Sequence, residues 1–232
     1  MVQADPQVDE DQEHNMKIVF VGDTAVGKTS VIMTWTQEVF PSLYEPTVFD
    51  TYNGTKNYKG SEIKLQIWDT AGHDDLGRLR PIAYSNTDCF IICFSVMHKN
   101  SLENACQKWV AEVKTTASLC PCILVGTKLD LREELERSGD EARLRECVTN
   151  AEIEAAAKKY AFQGFVVCSA KEKKGLNKVF HTAFKVVFQM KNMSKRTDSK
   201  TSGGSGFSYT QRGQQKAGKM GKNGQVRKRR CC

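Results

Sequence analysis

The stretch "GDTAVGKTS", Gly22 to Ser30, limits what this chain can fold into more than any other. It fits G-x-x-x-x-G-K-[ST], with the apolar run "MKIVFVG" before it and the helical pattern "GKTSVIMTWT" behind it. Those flanks separate it from a chance glycine-rich turn. Strand, glycine-rich loop and helix in that order turn backbone N–H groups inward, and the helix N-terminus adds partial positive charge. Such a cradle suits a polyphosphate. The candidate phosphate contacts are Gly22, Asp23, Thr24, Ala25, Val26, Gly27, Lys28, Thr29 and Ser30. Lys28 can reach the β- and γ-phosphates, and the Thr29 hydroxyl can ligate Mg2+.

The rest of the chain repeats the alternation. "EIKLQIW", "DCFIICFSV", "PCILVGT" and "GFVVCSA" read as strands, and "FPSLYEPTVFDTY" as a loop entering an edge strand. Between them lie the helical patterns "SLENACQKWVAEVKTTA", "TNAEIEAAAKKYA" (Thr149 or Asn150 as N-cap) and "LNKVFHTAFKVVFQM". The pattern predicts an α/β fold of the P-loop NTPase kind: a mainly parallel six-stranded sheet with helices on both faces.

Three further stretches select the nucleotide. Thr127, Lys128 and Asp130 of "TKLD" follow a strand, where an aspartate can accept both N–H donors of a guanine edge. Adenine lacks that pair, which disfavours an ATPase or kinase. Ser169, Ala170 and Lys171 of "CSAK" offer backbone donors to the guanine O6, and "DTAG" supplies Asp69 behind the metal and Gly72 beside the γ-phosphate.

In this order and at these separations the motifs resemble those of Ras-superfamily small GTPases of the Rho/Rac branch, over about residues 16–190. The branch is suggested by "YEPTVFDTY", "RLRPIAYSNTD", "TKLD" in place of Asn-Lys-x-Asp, and a charged helical insert at 131–146. The resemblance implies a switch that binds GTP/GDP with Mg2+ and hydrolyses GTP. Phe40 would pack against the guanine, Tyr44 would lie at the nucleotide, and Thr47 would close on Mg2+ and the γ-phosphate. Thr29, Thr47 and, in the second shell, Asp69 form the implied metal set; His73, Lys28 and Thr47 form the catalytic set. Residues 40–52 and 71–84 become two switches ordered by the γ-phosphate. Effectors would bind through 44–52 and the second switch, alongside an exchange factor and a dissociation inhibitor, in signalling to the actin cytoskeleton or membrane traffic. A monomer is expected.

Two positions depart from the family at the hydrolysis machinery. The glutamine that orients the attacking water is replaced by His73, whose imidazole is shorter and carries its donor and acceptor on opposite edges. A general base and a metal ligand are the competing readings; the γ-phosphate rivals the former as proton acceptor, and no Cys or His nearby in sequence completes the latter. Thr24 stands where most members carry glycine and would crowd the water and an arginine finger. Together they predict slow hydrolysis, with a GTP-locked binding module as the alternative. Glu45, Leu76 and Gly77 depart at partner-facing loop positions.

Charge is unevenly placed. Of the net +7, residues 1–15 carry five acids and no base, residues 191–232 carry twelve Lys/Arg and one acid, and the body is nearly neutral. The acidic amino end lacks the apolar core of a secretory signal, and no apolar run approaches the ~20 residues of a membrane span. Residues 1–15 and 191–232 are expected to be disordered, the latter reaching roughly 35 Å as a coil. "VRKRRCC" lacks the C-a-a-X box usual in the Rho branch; Cys231 and Cys232 resemble the double-geranylgeranyl ending of Rab proteins. A lipid plus Arg227, Lys228, Arg229 and Arg230 supplies the two signals that stable anchoring needs, at the cytoplasmic face of an anionic membrane with a cytosolic pool. Nucleic-acid binding by the tail is the weaker reading, for want of interleaved aromatics beyond Phe207 and Tyr209. Of nine cysteines, Cys89, Cys93, Cys122 and Cys168 fall in strand patterns and read as buried thiols; "CPC" is not a zinc spacing.

Overall fold

The structure, a computed structural model, describes residues 14–201 except Tyr44, Asp74, Leu76 and Leu79, and for 194–201 the backbone alone. Expectations for residues 1–13, Tyr44, Leu76, the tail from 202 and Cys231 and Cys232 therefore lie outside the described residues.

The strands are β1 (His14–Gly22), β2 (Phe49–Tyr58), β3 (Ser61–Thr70), β4 (Cys89–Ser95), β5 (Cys122–Thr127) and β6 (Gly164–Val167). They form one sheet in the order β2-β3-β1-β4-β5-β6, parallel throughout except for the antiparallel β2–β3 edge. The six-stranded α/β architecture expected from the sequence is the one found. The order reverses at β1, so the crevice beyond its carboxyl end is the natural ligand site of such a sheet.

Alternation along the strands divides the core into two layers. Met16, Ile18 and Phe20 of β1 face α1 (Lys28–Gln37) and α8 (Leu176–Thr201), where Phe180 and Phe184 fill the space. Val19 and Val21 face the other layer. That layer holds α2 (Arg80–Tyr84), α3 (Lys99–Asn104), α4 (Val110–Thr116) and α7 (Asn150–Lys159). Phe20, Phe90, Phe94, Trp109 and Phe180 have no solvent exposure, and each such side chain contributes about 1.5–3 kcal/mol. Cys89, Cys93, Cys122 and Cys168 are buried thiols inside these layers.

Four elements differ from the sequence reading. β1 begins at His14, so residues 14 and 15, expected to be disordered, pair with Ile63 and Lys64 of β3. The pattern at 101–117 is not one α-helix: α3 passes through a π-helical turn, Ala105–Trp109, before α4. The extra residue in that turn rotates the face that follows. The charged stretch read as helical at 131–146 is not one helix but two, α5 (Leu129–Ser138) and α6 (Glu141–Leu144), the first following Lys128 in the left-handed region and ending at left-handed Gly139. It is pinned by buried Arg132, which donates to Val148 O at 2.7 Å and Asn150 Oδ1 at 3.0 Å. Finally, α8 does not stop near Met190 but continues to Thr201, so residues 191–201, expected to be disordered, are helical, since no Gly or Pro interrupts "KNMSKRTDSK". Thr149 caps α7 with a full capping box to Glu152.

Candidate functional site

The phosphate loop follows β1 and is held in shape by its own chain. Gly22 has φ +146°, and a Cβ there would lie 2.3 Å from Cys93 O, so only glycine permits the approach. Gly27, at φ +99°, opens α1. Lys28 is buried and arches back, its Nζ donating to Gly22 O and Asp23 O, each at 2.9 Å. Burial lowers the affinity of its amine for a proton, and the Asp69 charge partly restores it.

A second corner gathers oxygens. Thr29 Oγ1 donates to Asp69 Oδ2 at 2.5 Å, and Thr47 Oγ1 lies 2.8 Å from Thr29 Oγ1. Thr47, from the loop before β2, thus meets α1 and the end of β3. Burial pushes the Asp69 carboxyl up to about 6, against the opposing pull of the Thr29 hydrogen bond and the Lys28 charge. Its Oδ1 is buried and finds no hydrogen-bond partner among the described residues. Hydroxyls and a desolvated carboxylate form a hard oxygen set suited to Mg2+, and a cation here would offset the burial of Asp69. Among the described residues no group of three or more His, Cys, Asp or Glu side chains is placed to hold a metal ion.

Beyond β3 the chain turns tightly against the phosphate loop. A Cβ on Gly72 would stand 2.4 Å from both Asp23 C and Thr24 N, so glycine is required for this contact. His73 points outward instead: its side chain is 63 % exposed, and Nδ1 lies 3.2 Å from Asp75 Oδ2. Thr24 and Ala25 are exposed on the rim of the loop.

The third part is a cavity of about 240 Å3 lined by Gly27, Ser30, Phe40, Thr127, Lys128, Asp130, Ala170 and Lys171 among others. The Thr127 hydroxyl lies within hydrogen-bonding reach of both Val26 O and Phe94 O, the latter at 2.9 Å, and its one proton bridges β5, β4 and the phosphate loop. Asp130 Oδ1 accepts from Ser169 Oγ at 2.7 Å, and Ser169 Oγ in turn accepts from Glu172 N at 3.0 Å. Phe40, 44 % exposed, forms one wall. The structure therefore brings the loop, the Thr29–Thr47–Asp69 corner and the base-binding motifs to one edge of the sheet, and leaves His73 in solvent.

Sequence reasoning missed the groups that hold this edge from behind. Trp109 Nε1 donates to Asp23 Oδ1 at 2.7 Å, and Asn104 Nδ2 donates to Asp23 Oδ2 at 2.8 Å. Arg80 is buried, with its guanidinium 4.7 Å from the Trp109 ring centre. It pairs with Glu112 through Nε (2.7 Å) and Nη2 (2.8 Å), and donates through Nη1 to His73 O at 2.9 Å. In the sequence Trp109 is one apolar residue of a helical stripe, and nothing marks it.

Compared with known families, residues 17–189 match the model described as Ras family.

Proposed function

This chain belongs to the Ras family and is a GTP-binding GTPase; from that premise we propose that it is a Rho/Rac-type signalling switch whose hydrolysis runs slowly. The carrying observation is His73, exposed and paired with Asp75. A glutamine amide can donate to a phosphate oxygen and accept from water at one position, whereas the imidazole offers its two nitrogens in opposite directions. The Rho/Rac assignment is supported by the segments that carry the resemblance and by the α5–α6 insert, anchored through Arg132.

In this reading Asp130 accepts from the guanine edge and Ala170 and Lys171 offer backbone donors, while Phe40 covers the ring. Lys28 and the loop amides neutralise the β- and γ-phosphates, and Gly72 senses the γ-phosphate from its seat against Asp23 and Thr24. Thr29 and Thr47, with Asp69 behind them, would hold Mg2+, which when bound supplies positive charge to the phosphate oxygens. Effectors and exchange factors would meet the switch segments, where Leu43 is 76 %, Val48 59 % and Ile82 67 % exposed. The basic tail and Cys231 and Cys232 would tether the protein to an anionic membrane.

Single-turnover hydrolysis tests the proposal. The wild-type rate is expected to be low, and His73→Gln to raise it about tenfold or more. A wild-type rate typical of the family, or no response to His73→Gln, refutes it. Exposed, β-branched Thr24 beside the Gly72 contact favours a second reading, a GTP-locked module without useful hydrolysis. GTP as the predominant co-purifying nucleotide supports that reading, and GDP supports the cycling one.

A further inference from the structure

The fully buried side chain Trp109 does two things at once. Its indole N–H donates to Asp23 Oδ1 at 2.7 Å, across 86 positions of sequence. Its ring seats the Arg80 guanidinium at 4.7 Å. Arg80, oriented by the two-point pair with Glu112, captures the carbonyl of His73 at 2.9 Å. Tyr84 completes the clamp by donating to Glu112 Oε1 at 2.6 Å.

These contacts close a ring. The backbone of Asp23 touches Gly72 directly, His73 follows Gly72, and Arg80 and Trp109 lead back to Asp23. Two segments that must keep a fixed separation, the phosphate loop and the first residues of the second switch, are thus both fastened to one rigid element. That element is the π-helical turn, whose last residue is Trp109. π-turns cost hydrogen-bond regularity and persist where the altered phase places a side chain usefully. Here the phase carries an indole N–H to a carboxylate in the nucleotide loop.

We propose that Trp109 and Arg80 are positioning residues for the γ-phosphate end of the site: the indole fixes Asp23, the guanidinium fixes His73 O, and together they set the gap between the phosphate loop and Gly72. The inference rests on the GTP-binding reading and deepens it. Both act through other residues, Trp109 through Asp23 and Arg80 through His73 O. The base pocket and the Lys28 contact with Gly22 O lie outside the ring, which shares only the carbonyl of Asp23 with Lys28, so its loss weakens a triphosphate more than a diphosphate.

The test is the release of fluorescently labelled GDP and of a labelled, non-hydrolysable GTP analogue from the full chain with Mg2+. Trp109→Phe keeps the ring and removes only the donor. It is expected to speed release of the triphosphate about tenfold, the scale of one hydrogen bond to a charged group, with GDP release changed by less than about twofold. Arg80→Lys is expected to act in the same direction, and the double variant to do no more than the stronger single one. Asn104→Ala removes the second Asp23 donor at an exposed position, where folding is not at stake, and is expected to give a smaller shift of the same selectivity. Equal acceleration of both nucleotides, no change, or additive effects overturn the proposal. A wild-type chain that binds neither nucleotide overturns the functional reading as well; one that binds both without selective loss in the variants overturns the positioning role alone.

Discussion

Thr127 carries a task for which its chemistry is only just sufficient. Its single hydroxyl proton faces two buried carbonyls, Val26 O in the phosphate loop and Phe94 O in β4, and can fully satisfy one at a time. Thr127→Val preserves shape and removes the proton. The variant is expected to lose about 1–2 kcal/mol in denaturant unfolding and to release GDP faster, because the phosphate loop loses its tie to β5. Unchanged stability and release would show that the tie is idle. The residues that the sequence singles out and the structure brings to one site, such as Lys28, Thr29, Asp69 and Asp130, share one property: each lies in a short local motif. Asp23 belongs to the same motif, yet the donors that fix its carboxylate lie 81 and 86 positions away, and no pattern in the chain announces them.

At the scale of elements, strands and the first helix were legible because alternation and the glycine-rich loop impose a period. The edges were less so. The π-turn after α3 leaves the apolar stripe nearly helical, so periodicity read it as one continuous helix, and α8 outran its apolar pattern because helix propensity alone carries it onward. The Arg80–Glu112 pair shows what holds two such elements, α2 and α4, in place. Burial raises the Glu112 carboxyl, but the hydrogen bonds from Arg80 and Tyr84 and the Arg80 charge outweigh it, so the group titrates below its ordinary range. A carboxylate with a lowered native pKa contributes stability that is present above its unfolded value of 4.5 and is lost as pH falls through the native one. Glu112→Gln is therefore expected to be less stable than wild type at pH 7 and to converge on it in acid below that value. Parallel unfolding curves at every pH would contradict this account of the pair.

For the whole molecule, the sheet separates two chemistries. Gly22, Asp69 and Thr127 cluster where β1, β3 and β5 end, and the nucleotide side is built there. Replacing Cys231 and Cys232 by serine is expected to shift the protein from the membrane to the soluble fraction of cells while nucleotide binding persists; unchanged membrane association would refute the lipid tether. The far side of the sheet has its own fastening. Lys191 of α8 pairs with Asp88 at 2.9 Å and donates to Asn15 O at 3.4 Å, at the beginnings of β4 and β1. Asp88 also accepts from Lys17 N at 2.8 Å. The 26 residues of α8, about 39 Å of helix, therefore start a few positions after the cavity-lining Ala170 and Lys171 and are fastened at the opposite pole through Lys191. The proposed tether would thus leave from the pole opposite the one at which the proposed partners meet the switch segments.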